Sequence, residues 1–253
     1  MGEWDEMLGH FLEFSFAARP IGASFEFYRS LGFRTIPVSD VVSEPYAAFF
    51  DGAIAIGIHE RHGESPTLTF VRPHLKDYVR ALRRLGLRIE HAHLADDEFH
   101  RIDIVDPNGQ AITLIEARTF PPGDWDPHNV CACGEFLEYS LATDSIPRSR
   151  AFWEAFGFSA VASGETPHSW LRLSGHGLVL GLHEARFRAG LSFRSHHVAA
   201  RVEYLKAKGL EPKTGAPLAA SAHRSATLLA PERTALYLIE EPPTQSTAKT
   251  EAR

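Results

Sequence analysis

Two carboxylates, each followed two residues later by a serine, recur in this chain with histidines at matched places. Glu13 and Ser15 stand in HFLEFSFA, and Glu138 and Ser140 in EFLEYSLA. Further on, IGIHE over 56–60 matches LGLHE over 180–184, so His59 pairs with His183. Each of these histidines lies two residues beyond a glycine, on the same strand face, and the glycine leaves space over that face. FHR over 99–101 resembles AHR over 222–224. That match pairs His100 with His223 and Arg101 with Arg224, at the expense of a one-residue gap before the next proline.

Three kinds of chemistry fit this set. Two imidazoles and a carboxylate can hold Fe(II), Mn(II) or Zn(II) and leave positions open for substrate oxygens. The ligands would then be Glu13, His59 and His100 in one cavity, and Glu138, His183 and His223 in another. Without a metal, Glu13 or Glu138 can serve as a catalytic general base, with a histidine as acid or polarising donor. Burial raises a carboxyl pKa toward neutrality, which suits proton abstraction beside a carbonyl. Alternatively the glutamates pair with Arg101 or Arg224, and the set lines a polar binding cavity in which Ser15, Arg101, Ser140 and Arg224 meet the ligand. The other histidines, His91, His93 and His168 among them, have no matched context and read as surface or capping residues.

The elements that must position these residues are themselves duplicated. HFLEFSFAARPIGASFEFYRSLGF from His10 aligns without a gap with EFLEYSLATDSIPRSRAFWEAFGF from Glu135, at an offset of 125 residues. An offset this long indicates a duplicated domain and not a solenoid, whose periods run about 20–50 residues. Residues 12–17 alternate, with Leu12, Phe14 and Phe16 on one face and Glu13, Ser15 and Ala17 on the other, as a half-buried strand does. Pro20 and Pro147 sit where a helix can begin. Phe25, Tyr28 and Leu31 face the strand, and Gly32 and Gly157 stop the helix. Glu13 and Glu138 are thereby left on the face opposite the helix.

Strands follow at 33–39, 46–50 and 53–60, the last two around Asp51-Gly52. A strand at 67–71, a helix at 75–85 stopped by Gly86, and strands at 87–94, 99–105 and 111–116 repeat the order, with Asp106-Pro107-Asn108-Gly109 as a strong turn. The second half reads the same way: strand 137–142, helix 147–156, strands 158–162, 169–173, 178–184 and 190–194, helix 198–208, and strands near 211–213, 226–230 and 235–240. The fold class is therefore α+β, four βαβββ units in two pairs. The expected boundaries are a lead over 1–9, a first domain over 10–118, a Pro/Gly-rich linker over 119–133, a second domain over 134–242 and a polar, disordered tail over 243–253.

Composition narrows the function classes. The 253 residues suffice for two domains, and the net charge of -6, without a basic stripe, argues against nucleic acid. No apolar run can span a bilayer, and the acidic, polar start (GEWDE) predicts no signal peptide. The two cysteines, Cys131 and Cys133, read as free thiols in a reducing cytoplasm and supply at most half of a structural zinc site.

The order of elements, with FYRSLGF (27–33), FWEAFGF (152–158) and VDPNGQAITLIE (105–116), resembles the vicinal oxygen chelate superfamily. That superfamily includes glyoxalase I, extradiol dioxygenases, methylmalonyl-CoA epimerase and the bleomycin and fosfomycin resistance proteins. The resemblance covers the chain from about 10 to 240. It implies four metal-ligand positions per pair of units, falling on Glu13, Gly57, Thr67 and Thr113, and on Glu138, Gly181, Gly190 and Tyr237. One ligand type of four is kept in each half, so glyoxalase I activity and extradiol cleavage are not expected. The implied function is binding, and transformation as a lyase, isomerase or oxygenase, of a small oxygen-rich molecule at a non-standard Glu/His site. The alternative is a non-catalytic drug- or metabolite-binding protein. The expected cofactor is a divalent metal, with no nucleotide. The expected partners are a small molecule and no nucleic acid or membrane, in a cytoplasmic monomer or homodimer, since a fused pair can imitate a dimer.

Overall fold

The computed structural model describes residues 8–37, 45–61, 65–97, 99–117 and 131–240. Most of the lead, the linker and the tail, together with His62 and His128, lie outside the described residues. Four βαβββ units are present. The first half runs β1 (His10–Ala17), α1 (Ile21–Ser30), β2 (Arg34–Ile36), β3 (Tyr46–Phe50), β4 (Ala55–His59), β5 (Thr67–Arg72), α2 (Leu75–Arg84), β6 (Ile89–His93), β7 (Arg101–Val105) and β8 (Ala111–Glu116). The second half runs β9 (Glu135–Ala142), α3 (Ile146–Ala155), β10 (Ser159–Gly164), β11 (Trp170–Gly175), β12 (Leu178–His183), β13 (Gly190–Ser195), α4 (Val198–Ala207), β14 (Lys213–Thr214), β15 (Ser225–Leu229) and β16 (Ala235–Glu240). A 3-10 turn over Ala222–Arg224 precedes β15.

Each half forms one eight-stranded sheet, ordered β2-β3-β4-β1-β5-β8-β7-β6 and β10-β11-β12-β9-β13-β16-β15-β14. The first strand of each half is central, parallel to the fourth and antiparallel to the fifth. This is the arrangement that brings Glu13 and Glu138 to the middle of a sheet. The α1 and α3 helices end where glycines take positive φ, +93° at Gly32 and +87° at Gly157. Ser145 caps α3, its hydroxyl accepting from the Arg148 amide at 3.4 Å.

The alternation of β1 sorts its side chains as the sequence predicts. Phe14 and Phe16 are fully buried on the apolar face. Phe16 stacks on Tyr28 of α1, ring centroids 6.0 Å apart, while Phe14 meets Tyr139 of the second half at 5.1 Å. One continuous hydrophobic core therefore spans both halves. The other face of each sheet carries Glu13 and Ser15, or Glu138 and Ser140.

Candidate functional site

On this face of the first sheet a polar network grows from Glu13, which is 4 % exposed. Its Oε1 accepts from the Ser15 hydroxyl at 2.7 Å and lies 3.0 Å from His59 Nε2. Its Oε2 accepts from the phenol of Tyr46, whose ring lies against His59 with centroids 4.5 Å apart. Ser15 continues the chain to Thr69 on β5, Oγ to Oγ1 2.7 Å. Burial, reinforced by the Glu13 charge, pushes the Tyr46 phenol far up, so it stays a donor.

The second face repeats the motif. Glu138 Oε1 accepts from Ser140 at 2.8 Å and lies 2.6 Å from His183 Nε2, and Ser140 reaches Ser192 at 2.7 Å. The third partner differs. Tyr46 stands opposite His59, where the second half has Trp170 opposite His183. Ala48 stands opposite Gly57, where the second half has Arg172 opposite Gly181. The Arg172 Nε donates to Glu138 Oε2 at 2.7 Å. His183 carries the network outward, its Nδ1 lying 3.0 Å from His168 Nε2.

Sequence reasoning expected burial to raise the glutamate pKa, and for Glu138 the structure corrects this. Burial does oppose ionisation, but hydrogen bonding and charge from His183 and the charge of Arg172 outweigh it and hold the carboxyl down at about 2. Glu138 is therefore a fixed anion and not a general base poised near neutrality. Burial and the neighbouring His183 lower the His168 pKa, so the outer imidazole favours its neutral form.

The expected metal triads do not assemble. His100 shares its side of β7 with buried Ile102 and Ile104 and so lies on the opposite face from Glu13. Its Nδ1 is 2.6 Å from Glu116 Oε2, and Glu116 in turn accepts from the Leu75 amide that opens α2, at 3.2 Å. His223 sits exposed on the 3-10 turn. The structural counterpart of His100 is Arg224, which donates to Glu240 Oε1 at 3.0 Å, while Glu240 accepts from the Val198 amide that opens α4, at 3.3 Å. The FHR/AHR alignment is thus off by one: Arg101 stands opposite Ile115, and Ser225 opposite Ile239. Arg224 is in consequence not on the face that carries Glu138.

The metal-ligand positions implied by the resemblance give the same result. A Cβ on Gly57 would collide with the Glu13 carboxylate, and one on Gly181 with that of Glu138. Each glutamate has folded over the position of the second ligand and is tied there. Among the described residues no three His, Cys, Asp or Glu side chains converge on a point where a metal could sit. The donor set present does not fit a divalent metal.

The two faces differ beyond their centres. In the first half Arg101 Nε donates to Asp103 Oδ1 at 2.8 Å, and the same oxygen accepts from Thr113 at 2.6 Å. Arg101 is one-third exposed in its side chain. In the second half the matching positions hold Ser225, Thr227 and Tyr237. Ser225 Oγ accepts from the Ala216 amide at 3.0 Å, and Thr227 donates to the Gly215 carbonyl at 2.8 Å. Gly215, at φ +92°, turns the chain just after β14, where β6 of the first half runs on to His93. The diverted segment lays Ala216 and Leu218 against Tyr237 and Phe187, an apolar cluster that closes the second face. Phe187 stands edge-on to both His183 (5.7 Å) and Tyr237 (6.0 Å).

Tyr46, Thr69, Asp103, His168, Arg172 and Ser192 were not legible as site residues. Arg172 could have been found: the tight turn at His176-Gly177 sets it opposite Gly181. Two shallow grooves elsewhere, about 290 Å³ beside Phe27 and Leu229 and about 340 Å³ beside Arg201 and Tyr204, touch neither glutamate.

With this geometry in hand, comparison with solved structures gives the fold. Homoprotocatechuate 2,3-dioxygenase from Brevibacterium fuscum aligns over 92 % of this chain and 71 % of its own, with a TM-score of 0.60 and 13 % identity. A variant of it in complex with HPCA gives a TM-score of 0.61 over the same shares, again at 13 % identity. A catechol 2,3-dioxygenase aligns over 93 % of this chain and 95 % of its own, with a TM-score of 0.56 and 12 % identity. No family model and no curated protein matches the sequence. The chain has the vicinal oxygen chelate fold, in the tandem arrangement of the extradiol dioxygenases.

Proposed function

We propose that this chain binds a small, oxygen-bearing organic molecule on the Glu13 face of the first half, and that the second half is structural. The observation that carries the reading is the difference between the faces. Ala216, Leu218, Phe187 and Tyr237 close the second, whereas the first carries Arg101, Asp103 and Thr113 beside the Glu13 network. Binding without turnover is favoured because Glu13 is already engaged by Ser15, Tyr46 and His59. The ring cleavage named for the structural neighbours is not supported, since the donor set lacks a third metal ligand.

A second reading rests on the Glu138–His183–His168 chain. A buried anion orienting one imidazole, which in turn faces a neutral one, is an arrangement suited to general acid–base work. The proton-transferring group would then be His168, with Glu138 and His183 as positioning residues.

The test is a thermal-shift screen of phenols, hydroxy acids and keto acids, followed by mass analysis of any hit. A hit recovered unchanged, and lost in Thr113→Tyr, supports binding at the first face. A chemically altered hit whose conversion stops in His168→Gln supports the second reading. Cytoplasmic location is consistent with two free, buried thiols at Cys131 and Cys133, and no helix among the described residues is long and apolar enough to cross a membrane.

A further inference from the structure

We infer that the ligand of the first face is a small organic carboxylate, its acidic group held by Arg101. This rests on the reading that the Glu13 face of the first half is the ligand site. Arg101 is held for this role. Asp103 fixes its Nε, at 2.8 Å, and is itself fixed by the Thr113 hydroxyl at 2.6 Å. The Arg101 Nη2 lies at the limit of hydrogen bonding from Thr113, 3.5 Å, and Nη1 has no protein acceptor among the described residues. One edge of the guanidinium is therefore anchored, and the side chain as a whole stays one-third exposed on the face that carries Glu13. The other edge has the planar two-donor geometry that matches a carboxylate.

The duplication supplies an internal control. At the positions of Arg101 and Asp103 the second half has Ser225 and Thr227, and both serve the segment that closes the face. At the position of Thr113 it has Tyr237, whose ring fills part of that face and whose phenol donates to the Arg188 carbonyl at 2.6 Å. Both faces carry an arginine, but differently paired: Arg172 of the second half is tied to the core glutamate, whereas Arg101 of the half without the apolar cluster pairs through Nε with Asp103 and leaves Glu13 to other partners.

The rest of the face defines the other end of the ligand. Glu13 and Asp103 lie on one cross-strand row through Thr69 and Thr113. Three strand spacings separate them, about 14 Å. Arg101 and the Tyr46–Glu13–His59 group therefore bracket a row of hydroxyls contributed by Ser15, Thr69 and Thr113. An acid with a hydroxyl or carbonyl several bonds away fits that polarity, with its carboxylate toward Arg101 and its oxygen toward His59 and Tyr46.

The experiment uses 4-hydroxyphenylacetate and its neutral amide as probes. Binding is measured by calorimetry and amide shift perturbation on the full chain, with Arg101→Gln, Arg101→Lys and Thr113→Tyr as variants, each checked for an unchanged melting profile. The expected result is that the acid binds at least tenfold tighter than the amide. Arg101→Gln should erase that preference while leaving amide binding, and Arg101→Lys should keep part of it. Equal affinity for acid and amide, an acid preference that survives Arg101→Gln, or no saturable binding of the acid would overturn the carboxylate assignment. Thr113→Tyr separates this from failure of the site itself. If binding persists in Thr113→Tyr, the first face is not the site. If Thr113→Tyr abolishes binding but Arg101→Gln changes nothing, the site stands and the carboxylate assignment fails.

Discussion

Glu138 remains ionised at any ordinary pH because His183 and Arg172 more than offset its burial, and this has a stability consequence. Its folded pKa of about 2 lies below the ordinary 4.5. The carboxylate therefore contributes stability that is fully present above about 4.5 and is lost as the pH falls toward 2. The linked contribution is at most about 3 kcal/mol. Urea unfolding between pH 6 and 2 should show wild type losing this increment and Glu138→Gln losing far less in the same window; parallel profiles would refute the ion-pair account. The glycines make a second residue-scale case. Gly57→Ala should cost about 1–3 kcal/mol, because the new methyl meets the Glu13 carboxylate. Adding Glu13→Ala should recover part of that loss, and strictly additive effects in the double-mutant cycle would rule the collision out.

At the scale of elements, the two halves use one carboxylate the same way with different counter-groups. Glu116 closes the start of α2 beside His100, and Glu240 closes the start of α4 beside Arg224. Alanine at either glutamate should destabilise by about 1 kcal/mol through the lost cap. That cost should fall in Glu116→Ala at pH values where Glu116 is protonated, its pKa being held low chiefly by the His100 hydrogen bond. The segment over 215–218 is the other decisive element. Leu218→Ala should cost about 2 kcal/mol as the apolar closure thins. It should leave ligand affinity untouched under the proposed binding at the first face. A ligand whose affinity follows Leu218 would instead belong to the second face.

The whole molecule behaves as an internal dimer. Tyr28 and Ser24 of the first half donate to Glu232 of the second, each at 2.7 Å. In the reciprocal place, Asn108 of the first half donates to Ser149 of the second at 2.8 Å. Tyr139 reaches across to Gln110 at 2.9 Å. With one core shared between the sheets, unfolding by heat should give a single calorimetric transition. Light scattering should return the 28.1 kDa monomer, the two halves already packing on each other through one shared core. Two separate transitions would mean the halves are energetically independent.

Much of this was readable in the chain. The offset of 125 residues fixed the duplication, and period-2 alternation placed Glu13, Ser15, Glu138 and Ser140 on the free face. Strands at 111–116 and 235–240 fall where the pattern put them. His59 and His183 were found because they repeat together with the glycines beneath the glutamates. His100 and His223 were misplaced because a one-residue slip in a strand exchanges its faces, and only the pairing register fixes which residue faces which. The closure of one face was not legible for a similar reason. It depends on where residues 215–218 fold in space, a long-range packing choice that a local pattern of Gly, Ala, Pro and Leu does not encode. The sequence by itself determined the architecture and the two polar centres; only the tertiary structure decided that an apolar segment packs onto one face while the other carries Arg101 and Asp103 in its place, because both outcomes depend on strand register and long-range packing.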